Sequence, residues 1–395
     1  MGNMTLSKTK QKLALFLLLF LIFTSMHMQF PVLTPFAVSL GATSFMIGLM
    51  LGATSFVNLG GNLIAGIFID RAGPRRFIII PLLLLAVSLA LHFFVADVTH
   101  LFILRMINGF LLAFLTPACM TLLSSFADNR REQSKNMAVN TLMVTVAMAV
   151  APFIGGKIGE WFGASWTFVA ISFVMIAAYF LAGRTIQSNL IIRSYRKEPS
   201  YQSLIQLRLF PVYITAFGIM YAQGTLMFEL PFLSVETDFS KGDVGILVSM
   251  VGAGTLISLA LFFIHWISPY VRIFLGLAMM CISFGWILFY TSHIPVAGPL
   301  LLFGAGTGIV FPAMMTMLTE RIPEEARGRG FALLSAIFSL GTITSPFVAG
   351  MVRDFISPYF IAWIVLMIVV MVMGLLEQNG EEGTAPAPVA ESLFR

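Results

Sequence analysis

The stretch Gly66-Ile67-Phe68-Ile69-Asp70-Arg71-Ala72-Gly73-Pro74-Arg75-Arg76 lies between two long apolar segments and forms the densest charge cluster of the first hundred residues. A single acid follows Gly66 by one helical turn, Gly73 lets the chain reverse, and a basic cluster comes next. Charges grouped in this way between apolar runs indicate a helix end, a tight turn and a helix start at a membrane surface.

The composition indicates that lipid is the solvent for most of the chain. Of the 395 residues, 58% are hydrophobic and only 10% are charged, and the mean hydropathy is +0.93. A soluble protein of this size could not bury so much apolar surface or cover itself with so few charges. The net charge of +5 does not indicate nucleic-acid binding, because the basic residues stand in short clusters between apolar runs.

Twelve apolar segments are long enough to cross a bilayer, which takes about 20 helical residues each. The segments lack the alternation of a β-barrel, and lipid-exposed backbone must satisfy its own hydrogen bonds, so helices are predicted. We expect the first segment to be a retained helix, because no small-residue cleavage site interrupts it before Pro35. The segments run near residues 13–35, 45–69, 77–95, 101–123, 137–159, 166–183, 210–235, 244–264, 273–290, 296–318, 331–352 and 358–376.

The longest polar break separates the twelve segments into six and six. We predict an N-terminal bundle at 1–186, a cytoplasmic linker at 187–208, a C-terminal bundle at 209–376 and a disordered cytoplasmic tail at 377–395. Prolines of the first half recur 194 to 196 residues later, as Pro35 and Pro231, Pro117 and Pro312, and Pro152 and Pro346. This repetition indicates duplication of a six-helix unit, and the predicted fold class is an all-α membrane protein with twelve transmembrane helices in two pseudo-symmetric bundles.

The distribution of Lys and Arg predicts the orientation. Most of these residues fall on the side that holds both chain ends, whereas the opposite loops hold only Lys157, Lys241 and Arg353. Because cytoplasmic loops carry the excess of Lys and Arg, we expect a multi-pass cell-membrane protein with both termini in the cytoplasm.

The opening stretch resembles the loop signature of the major facilitator superfamily, Gly-x-Leu-Ala-Asp-Arg-x-Gly-Arg-Lys, from which Phe68 and Pro74 depart. The resemblance implies two six-helix bundles that rock about a central site. It also implies a conformational latch in which Asp70 faces a helix N-terminus of the other bundle in one state. The alternative is a set of solvated loop charges. The latch residues are Gly66, Asp70, Arg71, Gly73 and Arg75.

Three further motifs resemble the same superfamily. Leu101-x-x-x-Arg105-x-x-Asn108-Gly109 is similar to its helix-4 motif, and Pro31-Val32-Leu33-Thr34-Pro35 is similar to the helix-1 ending of its twelve-span drug exporters. Ala147-x-x-x-Ala151-Pro152-x-x-Gly155-Gly156 resembles the helix-5 signature of exporters that exchange substrate for protons. The alternative for this last motif, with Ala151, Pro152, Gly155 and Gly156, is a packing face of small residues.

Three ionisable residues are predicted to take part in proton coupling or gating: Arg105, Glu229 and His27. Glu229 is the one acid within its apolar run, where burial favours the protonated form of a carboxyl. We hypothesise that Arg105 and Glu229 pair across the bundles when the outer side is closed. The alternatives are a snorkelling arginine, a carboxylate at headgroup level and a histidine used in packing.

Amide side chains are the predicted polar groups of a substrate cavity. Hydrogen bonding between helices is the alternative use for them. The candidates are Gln29, Asn58, Asn62, Asn108, Asn140 and Gln223.

The chemistry-bearing motifs of enzymes and pumps are missing from the sequence. It has no Gly-x-x-x-x-Gly-Lys-Ser/Thr loop, no metal-binding His/Cys spacing and no soluble domain, so we expect no enzyme, no cofactor and no metal site. The predicted function is proton-coupled export of small amphiphilic compounds by a monomer in the lipid bilayer, with a small-molecule substrate and protons as partners and no nucleic acid. The alternatives are export of one metabolite such as a siderophore-like metallophore, uptake by proton symport, a lipid flippase, and a membrane sensor that transports nothing.

Overall fold

The computed structural model describes residues 8–127, 129–186, 209–261, 266–289, 296–322 and 327–382. The predicted linker at 187–208 lies outside these residues. The helices of the described part are α1 (Lys8–Met28), α2 (Phe30–Ser39), α3 (Ser44–Ala72), α4 (Arg76–Leu91), α5 (Val98–Ser125), α6 (Arg130–Trp161), α7 (Ala164–Thr185), α8 (Phe210–Glu229), α9 (Leu233–Glu236), α10 (Lys241–Ala260), α11 (Pro269–Phe289), α12 (Ala297–Arg321), α13 (Arg327–Val352) and α14 (Pro358–Glu382).

Two of the spans are broken near one end. The first consists of α1 and α2, which meet at Gln29, and the seventh consists of α8, a 3₁₀ turn over Leu230–Phe232, and α9. Pro31 and Pro231 cause the breaks, because neither can donate to the carbonyl one helical turn earlier. With these two breaks counted, the helices form the twelve predicted spans.

Eleven of the helical stretches in the described residues are long and apolar enough to cross a membrane. The helix α8 has the required length but is not among the eleven; its apolar run contains Gln223 and ends at Glu229. Large apolar side chains such as Leu63, Phe173 and Phe289 remain exposed on the outside of the protein, as expected for a surface that faces lipid.

The twelve spans pack as two bundles with matching internal contacts. In the first bundle α3 packs on α5, α1 on α6, and α4 on both α5 and α7; in the second, α10 packs on α12, α8 on α13, and α11 on both α12 and α14. Each pairing of the first bundle therefore recurs in the second, which confirms the predicted fold class. The bundles meet chiefly through α6 against α10 and α3 against α13.

The two membrane faces differ in how tightly the bundles approach. We call the side with Lys8, Arg76 and Arg321 the basic face, and the side with Ser39, Trp161 and Arg353 the distal face. In the distal half of α3, a Cβ at Gly48 would lie 3.0 Å from Gly350 Cα of α13. Nearer the basic face, Gly60 and Gly66 of α3 have no atom within 4 Å of such a Cβ. The bundles are thus closed at the distal face and diverge toward the basic face.

The helix boundaries differ from the predicted spans because apolar length marks only the part that lies in lipid. Asn129 caps α6 by accepting from the Glu132 backbone N–H at 2.9 Å, so this helix begins well before residue 137. The helix α14 continues to Glu382, so the prediction of disorder from 377 onward is wrong for its first six residues. Residues 383–395 lie outside the described part of the chain.

Candidate transport site

A cavity of about 330 Å³ lies between the two bundles. Its walls come from α1 and α2, α3 and α5 in the first bundle and from α8 and α13 in the second. Methionine, leucine and phenylalanine supply eight of the twenty lining residues, including Met26, Phe30, Leu112, Met227 and Phe228. The polar lining residues are Gln29, Thr34, Thr54, Ser55, Asn58, Arg105, Gln223, Ser339 and Thr342. An apolar pocket with a few convergent polar groups is the usual form of a small-molecule site.

Arg105 projects from α5 into this cavity and is buried. Its Nη1 donates to the Gln29 Oε1 at the break between α1 and α2, while its Nε has no hydrogen-bond partner among the described residues. The Gln29 Nε2 donates to the Ser25 carbonyl oxygen at 3.1 Å, which turns the amide oxygen toward the guanidinium. Arg105 therefore connects the fourth span to the break in the first.

Three of the six predicted cavity amides line the cavity: Gln29, Asn58 and Gln223. Asn58 donates to the Gly109 carbonyl oxygen at 3.0 Å and accepts from the Asn62 amide at 2.9 Å, so Asn62 supports the wall from behind. Asn108 and Asn140 are not among the lining residues, and contact of either with a substrate stays a prediction.

Glu229 pairs with Arg353 rather than with Arg105. Its Oε1 accepts from the Arg353 Nε at 3.0 Å, and both side chains belong to the second bundle. With the distal face closed, the hypothesised pair of Arg105 and Glu229 is not formed, and Arg353 at the start of the α13–α14 turn holds Glu229 instead. The break after α8 puts Glu229 at the distal face, beyond the cavity lining.

Arg353, predicted from the sequence only as a loop cation, takes part in the candidate site. It also donates from Nη1 and Nη2 to the two oxygens of Glu236, at 2.6 and 2.8 Å, and its guanidinium lies 3.8 Å from the centroid of the Phe232 ring. These contacts fasten the 3₁₀ turn and α9 to the end of α13, and the same turn packs on α2 of the other bundle. The sequence contained one signal for this cluster: Glu229, Glu236 and Arg353 all lie at the distal ends of their spans.

His27 does not line the cavity. Its Nδ1 lies 2.7 Å from the Phe23 carbonyl oxygen, and its ring meets that of Phe30 edge-on with centroids 5.6 Å apart. These contacts fit the packing alternative, and a role of His27 in coupling stays a prediction.

The motif with Pro152, Gly155 and Gly156 belongs to the fifth span, α6, and lies where the first bundle meets the second. A Cβ at Gly155 would collide with the Met28 carbonyl oxygen, and one at Gly156 would lie 3.0 Å from Gly245 Cα in α10. A Cβ at Gly245 would lie 2.5 Å from the Pro152 carbonyl oxygen. The small residues of the motif thus bring α6 and α10 into backbone contact at the distal half.

The loop stretch around Asp70 lies at the basic-face end of α3, far from the distal-face contacts between the two bundles. Gly73 ends α3 with φ of 78°, a left-handed conformation that glycine adopts without strain. Asp70 and Arg71 are exposed, and neither has a hydrogen bond or ion pair within the described residues. With the basic side open, Asp70 has no hydrogen bond or ion pair to the described part of the second bundle, and the latch stays a prediction.

We expect Asp70→Asn to leave the thermal stability of the purified protein unchanged, because no contact of this side chain is lost. A carboxylate at a helix N-terminus contributes about 0.3–1 kcal/mol, so loss of the latch should slow transport about two- to fivefold. Melting temperature and initial transport rate measure the two effects. Asp238→Asn, an exposed acid at the distal face, is the control, and an equal slowing in both variants would contradict the latch.

Comparison with known proteins agrees with this architecture. The family model described as Major Facilitator Superfamily matches residues 15–206 and 212–393. Multidrug resistance protein 1 of Bacillus subtilis is 25% identical over 368 residues, covering 89% of this chain and 92% of that protein. The quinolone resistance protein NorA of Staphylococcus aureus is 24% identical, covering 87% and 90%.

Solved structures share the fold at lower identity. A bacterial homologue of the human lysosomal transporter Spinster has a TM-score of 0.74 at 15% identity, covering 98% of this chain and all of that one. A peptide transporter, POT, has a TM-score of 0.77 at 13% identity, covering 94% of each chain. The family match spans both bundles, so the chain belongs to the major facilitator superfamily and is a membrane transporter of small molecules rather than an enzyme.

Proposed function

We propose that this protein exports small amphiphilic compounds from the cytoplasm in exchange for protons, by alternating access. The observation that carries the proposal is the central cavity: a mostly apolar chamber between the bundles, closed at the distal face beside a buried carboxyl. The relatives named for multidrug and quinolone resistance support export over uptake. The excess of Lys and Arg on the basic face supports a cytoplasmic position for that face.

In this proposal the described conformation is open to the cytoplasm and loads the substrate. The apolar wall takes the body of the compound, and the amides and hydroxyls among the lining residues orient it. Rocking of the bundles then separates α6 from α10 and α3 from α13 at the distal face, and the compound leaves outward.

Glu229 is the proposed proton carrier. Arg353 is shared between two acids, and in the closed state it holds the ionised Glu229 carboxylate against the end of α13. A proton arriving from outside neutralises Glu229, weakens this contact and frees the 3₁₀ turn to move away from α2. Release of the proton to the cytoplasm after closure restores the contact and resets the cycle.

Proton release from inside-out vesicles tests the proposal. When the interior is acidified and an amphiphilic compound is added outside, we expect the interior to become more alkaline as compound enters and protons leave. A pH-sensitive dye in the lumen measures this, with vesicles lacking the protein as the control. No response to any compound, or proton and compound moving in the same direction, would overturn proton-coupled export.

A further inference from the structure

The central cavity contains a single charged side chain among its described lining residues, and that charge is positive. Arg105 provides it, and the other polar lining residues are neutral amides and hydroxyls. No aspartate or glutamate is among the lining residues, so no fixed carboxylate is placed to receive a cationic compound.

The buried acid that the sequence offers as a partner for Arg105 is engaged elsewhere. Glu229, the buried acid of the described residues, binds Arg353 at 3.0 Å and does not line the cavity. The partner of Arg105 is the amide oxygen of Gln29, which accepts a hydrogen bond but does not neutralise the charge. A cation that is desolvated and paired only with a neutral amide attracts an anion strongly, because the surroundings screen it little.

The Arg105 guanidinium keeps a donor that no described residue satisfies. The Arg105 Nε is buried and has no hydrogen-bond partner among the described residues, although it belongs to a side chain that lines the cavity. The planar guanidinium matches a carboxylate through two parallel hydrogen bonds, which is a stronger contact than its single bond to Gln29. The surrounding Phe30, Met227 and Phe228 are suited to the apolar body of the same molecule.

We propose that the preferred cargo is a small amphiphile with an anionic headgroup, a carboxylate above all, and that Arg105 binds that headgroup. This inference rests on the proposed export function and names its substrate class. The cavity volume of about 330 Å³ accommodates one such compound with a single aromatic body. Lipophilic cations are disfavoured by repulsion from Arg105 and by the lack of a carboxylate in the lining.

Binding of the headgroup also affects the first span. Gln29 lies at the break between α1 and α2 and is held by Arg105. A carboxylate that takes over the guanidinium releases the Gln29 side chain, so an anionic cargo loosens the contact between the fourth span and this break. A neutral compound of the same shape leaves that contact in place.

A matched series of ligands tests the charge preference without any proton gradient. The probes are 1-naphthylacetate, its primary amide and 2-(1-naphthyl)ethylamine, which share one aromatic body. In calorimetric titration of the purified protein, we expect the carboxylate to bind at least about tenfold tighter than the amide, which is about 1.4 kcal/mol, and the amine to bind weakest. Equal or tighter binding of the amine would overturn the proposal.

Variants of Arg105 assign the preference to this side chain. Arg105→Gln is expected to lose the tenfold advantage of the carboxylate while changing the affinity of the amide less than about threefold. The control is Arg184→Gln, which removes a cation from the exposed end of α7 and should leave all three affinities unchanged. An equal loss for all three ligands in Arg105→Gln would contradict the proposal.

The conservative variant covers the case in which Arg105→Gln does not fold. Arg105→Lys keeps the charge and loses the two-pronged geometry, so the carboxylate should stay preferred over the amide by a smaller factor. Equal affinity of the lysine variant for the amide and for the carboxylate would count against an electrostatic preference.

The binding series and the vesicle assay separate this inference from the function on which it rests. Selective binding of the carboxylate without any proton exchange would overturn proton-coupled export and support the charge preference. Proton exchange driven by the amine but not by the carboxylate would support export and overturn the charge preference.

Discussion

Replacing Gly245 with leucine is expected to open the distal face and to abolish most transport. Its Cβ position lies 2.5 Å from the Pro152 carbonyl oxygen and 3.2 Å from Gly156 Cα, so the clash is with backbone and no flexible side chain can yield. Forcing a larger group into such a contact costs about 1–3 kcal/mol. The equilibrium between the two states should therefore shift toward the distal-open state by about fivefold to 150-fold.

The distance between the bundles at the distal face measures this shift. Cysteines at the exposed positions Trp161 and Phe355 carry spin labels, in a background where the buried Cys119 and Cys281 are alanine. In Gly245→Leu the label distances should move to longer values, and substrate transport should fall because the cavity no longer loads from the basic face. Gly298→Leu is the control, since this glycine of α12 has no atom within 4 Å of its Cβ position.

Unchanged label distances in a folded Gly245→Leu variant would contradict the role assigned to this contact. The same result would follow if the seal depended on the charged cluster of Arg353 alone. The same measurement on Gly350→Leu tests whether the α3–α13 contact also keeps the distal face closed. The Cβ position of Gly350 lies 2.7 Å from the Ser44 carbonyl oxygen in that contact.

The fold was predictable because the bilayer restricts which backbone structures can cross it. A lipid-exposed backbone must bond within its own segment, so the length of an apolar run translates directly into a span. The repeated prolines mark corresponding spans: Pro31 and Pro35 lie in the broken end of the first span and Pro231 in that of the seventh, at the same face. Helix ends were less predictable, because caps such as Asn129 lie outside the apolar run.

The site was predictable in its composition and only partly in its contacts. Gln29 and Gln223, which were predicted for the cavity, lie in its lining, and so does Arg105, which was predicted for coupling or gating. The partner of Glu229 was not predictable, because residue counting gives depth along a helix but not the direction of a side chain around it. The hypothesis of a pair with Arg105 assumed one direction for the Glu229 side chain, whereas the structure directs it to Arg353.

The glycine contacts show the same limit. The small residues of the helix-5 motif indicated close packing, yet the sequence did not identify the helix that packs on them. Gly245 belongs to no recognised motif, and its importance emerges only from its position against Pro152 and Gly156. Pairwise contact between bundles depends on how both bundles rotate, which local patterns do not encode.

Replacing Glu229 with glutamine is expected to uncouple transport from the proton gradient. The amide resembles the protonated carboxyl in size but cannot gain or lose a proton, so in the proposed cycle the contact with Arg353 no longer alternates between an ion pair and a weaker bond. Transport driven by an imposed pH gradient should be lost, whereas exchange of substrate down its own concentration gradient should persist. Both are measured in the same proteoliposomes, with and without the gradient.

Glu236→Gln is the matched control for this uncoupling. It removes one carboxylate from the same arginine, but the Glu236 side chain is 51% exposed against 8% for Glu229, so water replaces the lost contact. An exposed ion pair contributes at most about 1 kcal/mol, and we expect this variant to keep gradient-driven transport. If Glu229→Gln still follows the pH gradient as the unmodified protein does, the proton travels by another route, and if both variants fail alike, the cluster around Arg353 acts as a structural brace rather than as the site of coupling.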